Sequence, residues 1–273
     1  LAKLVIKLPS PQEQRKIARI LTTLDNLIEK TEALIAKYQA IKQGMMHDLF
    51  TRGVDSSGQL RPTQQQAPDL YKQSELGWIP KDWDSKRLGE KLKEVDGWLQ
   101  TGPFGSQLHS YEYVTEGVPV IMPQEINNGV VETETIARIA PQKALQMRRH
   151  WVDINDIVFS RRGDLCRSAA IGERESGWVC GTGCFLLRVS KKAIDAEWLS
   201  HLYRHPFIQR QVDANAVGST MPSLNNSVMG RLYFTFPSLA EQREIARRIS
   251  AIDSSIRMEE QRRSKALLTK SGL

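Results

Sequence analysis

The fold is decided by a phrase that the chain contains twice, PSPQEQRKIARILTTLDNLIEK at residues 9–30 and PSLAEQREIARRISAIDSSIRM at residues 237–258. The two copies align without a gap at an offset of 228 residues, and more than a third of the positions from 9 to 45 are identical to their counterparts. Solenoid repeats recur about every 20–50 residues. The much wider spacing here therefore predicts a tandem duplication of a larger unit, a helix together with a domain.

Both copies begin with the residues that start helices. Ser10 and Ser238 are good N-caps, and Glu13 and Glu241 follow three residues later, where each can complete a capping box. Pro11 occupies a first helical position, where its missing N–H is not needed. We expect both helices to begin at the same place in their repeat. The alternative is two unrelated amphipathic helices that pack on a core.

Apolar side chains continue from each helix start at alternating steps of three and four, which is the heptad pattern of a coiled coil. In the first copy the pattern runs through Ile17, Ile20, Leu24, Leu27, Thr31, Leu34, Tyr38, Ile41 and Met45. In the second copy it runs through Ile245, Ile249, Ile252 and Ile256 and then becomes polar at EEQRRS. The prediction is two long helices that form an antiparallel coiled coil.

The amino-acid composition and the hydrophobic pattern change between the two helices. Residues 51–70 are rich in Gly, Ser, Gln and Pro and predict a linker, whereas residues 71–237 alternate short apolar runs with turn residues. We expect residues 1–9 to be the last strand of a preceding domain, residues 10–50 and 238–273 to be the long helices, and the middle to be one mixed domain. The predicted fold class is α/β (mixed α+β) plus two long helices.

Composition narrows the functional classes. The 273 residues are 40% hydrophobic and carry a formal net charge of +7, which favours a polyanionic partner without proving one. No apolar run is long enough to span a membrane, and no secretory leader is recognisable, so we expect a cytoplasmic protein. The chain starts at Leu1, and its second repeat stops early, so we expect a piece of a longer parent.

Enzymatic chemistry finds little support in the sequence. Phosphate-loop, dinucleotide-binding and amino-methyltransferase motifs are missing. A zinc site could be assembled from the spacing of Cys180, Cys184, His201 and His205, but Cys184 lies in CFLLRVS, where cysteine is typical of a buried strand. A metal-dependent nuclease built on acidic residues around 69 and 84 is a weaker alternative still.

Several motifs, in order along the chain, resemble those of the specificity subunit of Type I restriction-modification enzymes. They are SELGWIPKDW at 74–83, TGPFGSQLHSYEYVTEGVPVIMPQEI at 101–126, DIVFSRRGDLCRSAAI at 156–171 and GSTMPSLNNSVMGRLYFTFPSLAEQREIA at 218–246. Two further segments also resemble family motifs: PQEQRKIA at 11–18, which starts the first helix, and KQGMMHDLFTRG at 42–53, which ends it. The sequence departs from the family at Cys166, where Arg-Gly-Asp-Xaa-Gly-Arg is usual, and a left-handed backbone there would strain a cysteine.

The resemblance implies a single target-recognition domain that reads half of a bipartite DNA site, with the coiled coil setting the distance between half-sites. It also implies that the helices dock modification subunits and that a restriction subunit joins the assembled complex. S-adenosylmethionine and ATP would then be cofactors of those partner subunits, and this chain would be non-catalytic. A homodimer and an assembly-only fragment without useful DNA affinity are the alternatives.

Residues for DNA contact are expected in loops that offer donors to phosphates or amides and guanidinium groups to base edges. We expect one arginine of the loop at 161–167 to pair with Asp164 as scaffold. The candidate DNA-binding residues are Gly105, Ser106, Gln107, Gln124, Asn127, Arg161, Arg162, Arg167, Ser219, Thr220 and Asn225. The candidate coiled-coil and partner residues are Ile17, Leu24, Leu27, Leu34, Tyr38, Ile41, Ile245, Ile249, Ile252 and Ile256.

Overall fold

The computed structural model describes residues 8–218 and 222–272. The chain divides into a helical unit, Leu1–Met45 with Arg248–Leu273, and a larger unit, Met46–Arg247. Within the described residues, no helix is long and apolar enough to cross a membrane. The strand expected at residues 1–9 falls almost entirely outside the described part of the chain.

The elements are numbered in chain order. The α-helices of the described residues are α1 (Pro11–Thr51), α2 (Leu88–Glu94), α3 (Pro141–Gln146), α4 (Ala196–Tyr203), α5 (Pro206–Asn215), α6 (Asn226–Arg231) and α7 (Leu239–Ser271). The strands are β1 (Tyr71–Ser74), β2 (Gly77–Pro80), β3 (Asp84–Arg87), β4 (Trp98–Thr101), β5 (Tyr113–Val114), β6 (Val118–Ile121), β7 (Ile126–Asn127), β8 (Val130–Val131), β9 (Arg138–Ile139), β10 (Ile157–Ser160), β11 (Ser168–Ala170), β12 (Val179–Cys180), β13 (Cys184–Arg188) and β14 (Tyr233–Phe236). This mixture of helices and sheets confirms the predicted fold class.

The two long helices begin at the same place in their repeat, as the capping residues predict. Before α1, the Ser10 backbone N–H donates to Glu13 Oε2 at 2.8 Å, and the Glu13 N–H donates to Ser10 Oγ at 3.3 Å. Before α7, the Glu241 N–H donates to Ser238 Oγ at the same 3.3 Å. Each serine thus satisfies a backbone donor that the first helical turn leaves free.

The helical unit is an antiparallel pair. Lys42 of α1 forms an ion pair with Asp253 of α7, and Asp25 of α1 forms one with Lys270 of α7. Moving toward the amino end of α1 therefore means moving toward the carboxyl end of α7. This arrangement confirms the predicted antiparallel packing of the two repeats.

The predicted seam of α1 is wrong at Ile17, Ile20, Leu27 and Ile41, which the structure leaves exposed. Ile17 and Leu27 are each 46% exposed and Ile41 is 44% exposed, whereas Ile35 is buried. The stripe that the structure buries or half-buries runs through Leu24, Ile28, Thr31, Ile35, Tyr38, Lys42 and Met45, and the predicted Leu34 is half-buried beside Ile35. Leucine and isoleucine stand side by side at 27–28 and 34–35, so the sequence fits a heptad in two registers. The observed register brings a lysine to Asp253, and an apolar pattern could not reveal that choice.

The seam of α7 agrees with the sequence. Ile249 and Ile256 are buried and Ile252 is half-buried in the helical unit, and Ile245 is buried within the larger unit. Beyond Ile256 the buried positions are Glu259, at 8% exposure, and Ala266, at 5%. The EEQRRS stretch that interrupts the apolar pattern therefore contributes a buried glutamate to the packed side of the helix.

The larger unit is organised around two four-stranded sheets, in the strand orders β11-β10-β13-β4 and β12-β6-β9-β5. Strands of the first sheet are antiparallel throughout. One buried cluster joins side chains from both sheets, including Val158 and Leu186 of the first sheet and Ile121 of the second. The apolar runs VPVIMP, DIVFS and CFLLRVS form β6, β10 and β13, and α4 ends shortly before α5 begins at Pro206.

A buried carboxylate fixes the segment that follows α1. Glu241 accepts hydrogen bonds from the Val54 backbone N–H at 2.8 Å and from Trp83 Nε1 at 3.1 Å, and it forms an ion pair with Arg61. Gly53 has φ of 63°, and a Cβ at this position would collide with Glu241, Trp83 and Arg61. The glycine is therefore required both by the backbone conformation and by the close approach of this network.

Candidate nucleic-acid interface

The register of the antiparallel sheet brings several loops that carry candidate DNA-binding residues to the same end of the sheet. Ser160, the last residue of β10, pairs with Cys184, the first residue of β13. On the other side of β13, Thr101 at the end of β4 pairs with Phe185. The loops at 102–107, 161–167 and 181–183 therefore leave the sheet at one end, which we name the loop end.

Backbone hydrogen bonds fix these loops to one another. The Gly102 N–H donates to Cys184 O and the Arg161 N–H donates to Gly183 O, each at 2.8 Å. A further segment joins from before α6, because the Leu224 N–H donates to Arg161 O at 3.0 Å. The Gly163 N–H also donates to Pro222 O, at 3.0 Å. The loop end thus includes residues 222–225 as well as the three sheet loops.

Arg167 is the scaffold arginine of the loop at 161–167. Its Nε lies 3.0 Å from Asp164 Oδ2, and its Nη1 donates to backbone oxygens of Pro123 and Ile126, each at 3.3 Å. The expected pairing of one arginine with Asp164 is confirmed. Because this guanidinium is committed to two loops, its contribution is to hold the segment at 123–127 against the sheet.

Arg161 and Arg162 have different surroundings from Arg167. The Arg161 guanidinium is half-buried, lies 5.9 Å from the centre of the Phe185 ring and donates from Nε to Leu224 O at 3.4 Å. Burial and the neighbouring Arg162 lower the pKa of Arg161. Arg162 is exposed, and its side chain has no hydrogen bond or ion pair among the residues that the structure describes. Arg162 is therefore the cation of this loop that is available to a polyanion.

The two amide side chains near β7 also differ. Asn127 Nδ2 donates to Glu132 Oε2 at 2.7 Å, and Asn127 Oδ1 accepts from Arg167 at 3.0 Å, so both ends of this amide are used within the protein. Gln124 is exposed. Its backbone oxygen accepts from Arg167 at 3.4 Å, which places it at the loop end, and its side chain also contacts the Glu125 carboxylate. Gln124 is the better placed of the two to meet a base edge.

The turn after β4 combines exposed and structural residues. Gly105 and Ser106 are exposed. Gln107 is a turn residue, because its Oε1 accepts from the Phe104 N–H at 3.0 Å. Phe104 itself is 58% exposed. Sequence reasoning missed this ring, although an aromatic residue between Pro103 and Gly105 in a tight turn is a signal that could have identified it.

The remaining candidates lie before α6. Asn225 caps that helix, because its Oδ1 accepts from the Val228 N–H at 2.9 Å. Its side-chain oxygen is thus committed to the fold, as is typical of asparagine at an N-cap. Ser219 and Thr220 lie outside the described residues.

The cysteines take part in packing. Cys180 and Cys184 are buried in a core cluster, and burial raises the pKa of the Cys184 thiol well above its usual value. Among the described residues, no group of His, Cys, Asp and Glu is arranged to hold a metal ion. Cys166 is not one of the described non-glycine residues with positive φ, and its N–H donates to Asp164 Oδ1 at 3.1 Å, so the turn accepts cysteine without left-handed strain.

Two histidines of the larger unit, His150 and His205, are buried. Burial lowers the pKa of His150 and of His205 to about 4 each, with Arg149 adding to the effect at His150 and His47 at His205. Neither ring nitrogen of His150 has a hydrogen-bond partner in the described part of the chain. Both side chains are therefore neutral at pH 7 and add no charge for a polyanion.

Known structures share this fold. The structure of the Type-I restriction-modification system S subunit from M. genitalium matches 96% of this chain and 60% of its own, with a TM-score of 0.61 and 17% identity. The HsdS subunit from Thermoanaerobacter tengcongensis matches 97% of this chain and 57% of its own, with a TM-score of 0.53 and 16% identity. At these identities the likeness shows the fold alone.

Curated relatives are similar along most of the chain. The Type I restriction enzyme MjaVIII specificity subunit from Methanocaldococcus jannaschii is 27% identical over 266 residues, covering 92% of this chain and 56% of the relative. The Type I restriction enzyme EcoBI specificity subunit from Escherichia coli is 23% identical, covering 91% of this chain and 51% of the relative. The chain thus spans about half the length of the curated relatives it matches.

A family model also covers most of the larger unit and most of α7. It is described as the Type I restriction modification DNA specificity domain, and it matches residues 80–268. The match includes all three sheet loops of the loop end. On this evidence the chain belongs to the Type I restriction modification DNA specificity domain family.

Proposed function

We propose that this chain reads a DNA sequence through the loop end of its four-stranded sheet, as one half of a bipartite site. The observation that supports the proposal is the convergence of the exposed Arg162, Gln124 and Ser106 on one end of a sheet in a chain of this family. The relatives are named specificity subunits of restriction enzymes. In that role the chain supplies sequence recognition and no catalysis.

The exposed groups have complementary chemistry for a duplex. Arg162 can neutralise a phosphate or donate two hydrogen bonds to guanine, and Gln124 can form a bidentate pair with adenine. Gly105 and Ser106 can approach a phosphate with backbone N–H and hydroxyl donors. Arg167 and Asn127 hold these loops in place from behind.

DNA binding as a function of salt tests the proposal. We expect the full chain, mixed with its modification subunit, to bind duplex DNA with an affinity that falls steeply as salt rises, because bound cations are released from the phosphates. Replacing Arg162→Ala is expected to reduce that dependence by about one counterion if the side chain contacts a phosphate. Protein assembly without any salt-dependent DNA binding would instead support the assembly-only alternative.

We further propose that the helices bind modification subunits and that the complex then recruits the restriction subunit. The side chains available for this role are the exposed apolar residues of α1, which are Ile17, Ile20, Leu27 and Ile41. Apolar residues at heptad spacing on an exposed helix face are suited to packing against another helix. On this proposal S-adenosylmethionine and ATP are bound by the partner subunits, and the assembly works in the cytoplasm.

Substitution of the exposed helix face separates assembly from DNA reading. Leu27→Glu and Ile41→Glu are expected to weaken co-purification with the modification subunit, and Ile35→Glu is expected to unfold the helix pair instead, because Ile35 is buried. A homodimer of this chain would be another occupant of the same face. Light scattering of the isolated chain distinguishes it, since a dimer doubles the mass before any partner is added.

A further inference from the structure

The most prominent side chain of the loop end is one that the proposed roles do not use. Phe104 is 58% exposed at the tip of the turn that follows β4. Four residues further on, Leu108 is buried at 5% exposure in a core cluster with Val120 and Ile139. The same short loop thus has one apolar side chain committed to the fold and one left in solvent.

Hydrogen bonds within the turn hold the backbone of Phe104 in place. The Gln107 N–H and the Leu108 N–H both donate to Phe104 O, at 2.8 and 3.3 Å, while the Phe104 N–H donates to Gln107 Oε1. Gly102 and Pro103 are buried at the base of the turn. A Cβ on Gly102 would collide with the backbone oxygen of Gly181, so this base is tightly packed on the loop before β13. The ring therefore projects from a rigid support.

The position of the turn places the ring beside the proposed DNA contacts. Gly102 and Arg161 donate to Cys184 O and Gly183 O, two successive residues of the chain, from opposite sides. Adjacent strands lie about 4.8 Å apart, so the bases of the two loops are about 10 Å apart. This separation is smaller than the width of a major groove, about 12 Å. One duplex that meets Arg162 can therefore also meet Phe104.

The residues after the ring favour entry into a groove. Gly105 has open space around it, with nothing within 4 Å of where a Cβ would stand, and Ser106 is exposed. The tip of the turn is consequently narrow, with an aromatic ring followed by two small residues. A lone exposed apolar side chain is ordinary on a protein surface. An exposed ring on a narrow and well-anchored turn, with an uncommitted arginine on the neighbouring loop, has the form of a base-contacting residue.

We propose that the Phe104 ring packs against the apolar surface of a base in the bound DNA and so adds to sequence selectivity. The inference rests on the proposed function of the loop end. Two parts of DNA offer this chemistry: the methyl group of thymine in the major groove, and the face of a base at a step opened from the minor groove. Phe104 acts by contact and shape, whereas Arg162 acts by charge.

Three variants of the full chain, each mixed with the modification subunit, test this role on a site selected from randomised duplexes. Phe104→Ala removes the ring, Phe104→Leu keeps an apolar side chain, and Trp78→Ala is the matched control. Trp78 is also exposed, at 49%, but lies on the hairpin of β1 and β2. All three variants are expected to have the melting temperature of the wild-type chain, because both rings are exposed.

We expect Phe104→Ala to lower affinity for the selected site by between about 5- and 150-fold, the range of an aromatic–base contact. Its affinity for unrelated DNA and its salt dependence are expected to stay at the wild-type values, because no charge is removed. Trp78→Ala should bind as the wild type does. Wild-type affinity of Phe104→Ala for the selected site overturns the inference, and so does a loss confined to binding of the modification subunit.

The DNA itself distinguishes the two base surfaces. If the ring meets a thymine methyl, replacing that thymine by deoxyuridine weakens the wild-type chain and leaves Phe104→Ala unchanged, and Phe104→Leu retains part of the affinity. If the ring enters a base step, 2-aminopurine at that step brightens with the wild-type chain but not with Phe104→Ala. A wild-type chain that selects no site at all defeats the proposed function, which is a different failure from normal binding by Phe104→Ala.

Discussion

Removing the carboxylate of Glu241 is expected to destabilise the larger unit strongly. The Glu241 side chain is 6% exposed, and it pairs with Arg61, whose own side chain is only 11% exposed. Breaking a buried ion pair by removing one partner costs about 3–5 kcal/mol, because the remaining charge stays buried. Asp82 still contacts Arg61 at 2.7 Å, but from an exposed position. We therefore expect Glu241→Ala to lower the free energy of unfolding by about 3 kcal/mol, the low end of that range.

The repeat supplies a matched control for this change. Glu13 occupies the same capping-box position in the first copy, but it is exposed and bonds only within its own helix start. All six tryptophans lie in residues 46–247, so urea unfolding followed by tryptophan fluorescence reports on the larger unit. With a urea slope of about 2 kcal/mol per molar, the midpoint of Glu241→Ala should fall by about 1.5 M. A midpoint equal to that of Glu13→Ala would refute the buried role assigned to Glu241.

Three further outcomes follow from the buried groups and the loop end. The pKa values of His150 and His205, about 4 in the folded chain, lie below the ordinary 6.5. The unfolded chain therefore takes up protons first, and stability falls as pH drops from 6.5 toward 4, by about 2 kcal/mol per histidine at pH 5. Urea titrations at pH 5 and 7.5 should show a smaller difference for His150→Phe than for the wild type, and an equal difference would contradict this role. Gly53→Ala should destabilise the larger unit by more than about 1 kcal/mol, because alanine disfavours a positive φ and its methyl group would collide with the Glu241 side chain. An unchanged melting temperature would contradict this. Arg167→Ala should lower the melting temperature, whereas Arg162→Ala should leave it unchanged and weaken DNA binding, and the reverse pattern would show that the two roles are exchanged.

The architecture could be predicted from the sequence because each of its signals is local. Ser10 and Ser238 mark the helix starts by chemistry that needs no tertiary contact, and the structure places both caps where the repeat puts them. The register of α1 could not be obtained in this way. Leu27 and Ile28 are equally apolar, and the choice between them depends on Lys42 meeting Asp253 on the other helix.

The candidate site was predictable as a set of loops but not as a set of free side chains. Gln124 and Asn127 offer the same amide group, and the distinction between them arises from Glu132 and Arg167, which occupy both ends of Asn127. In the same way, Asp164 selects Arg167 from three neighbouring arginines. Hydrogen bonds to groups distant in sequence decide which of these side chains stay free, and the spacing of residues along the chain does not encode those contacts.

The central claim is that the loop end reads DNA sequence, and selection from a randomised duplex pool tests it most directly. The full chain and its modification subunit would be used to retain DNA, once with the wild-type chain and once with Gln124→Ala, and the retained DNA would be sequenced. We predict a short enriched motif for the wild type and relaxed selectivity at one position for Gln124→Ala. A stable protein complex that retains DNA without enriching any motif would contradict the account.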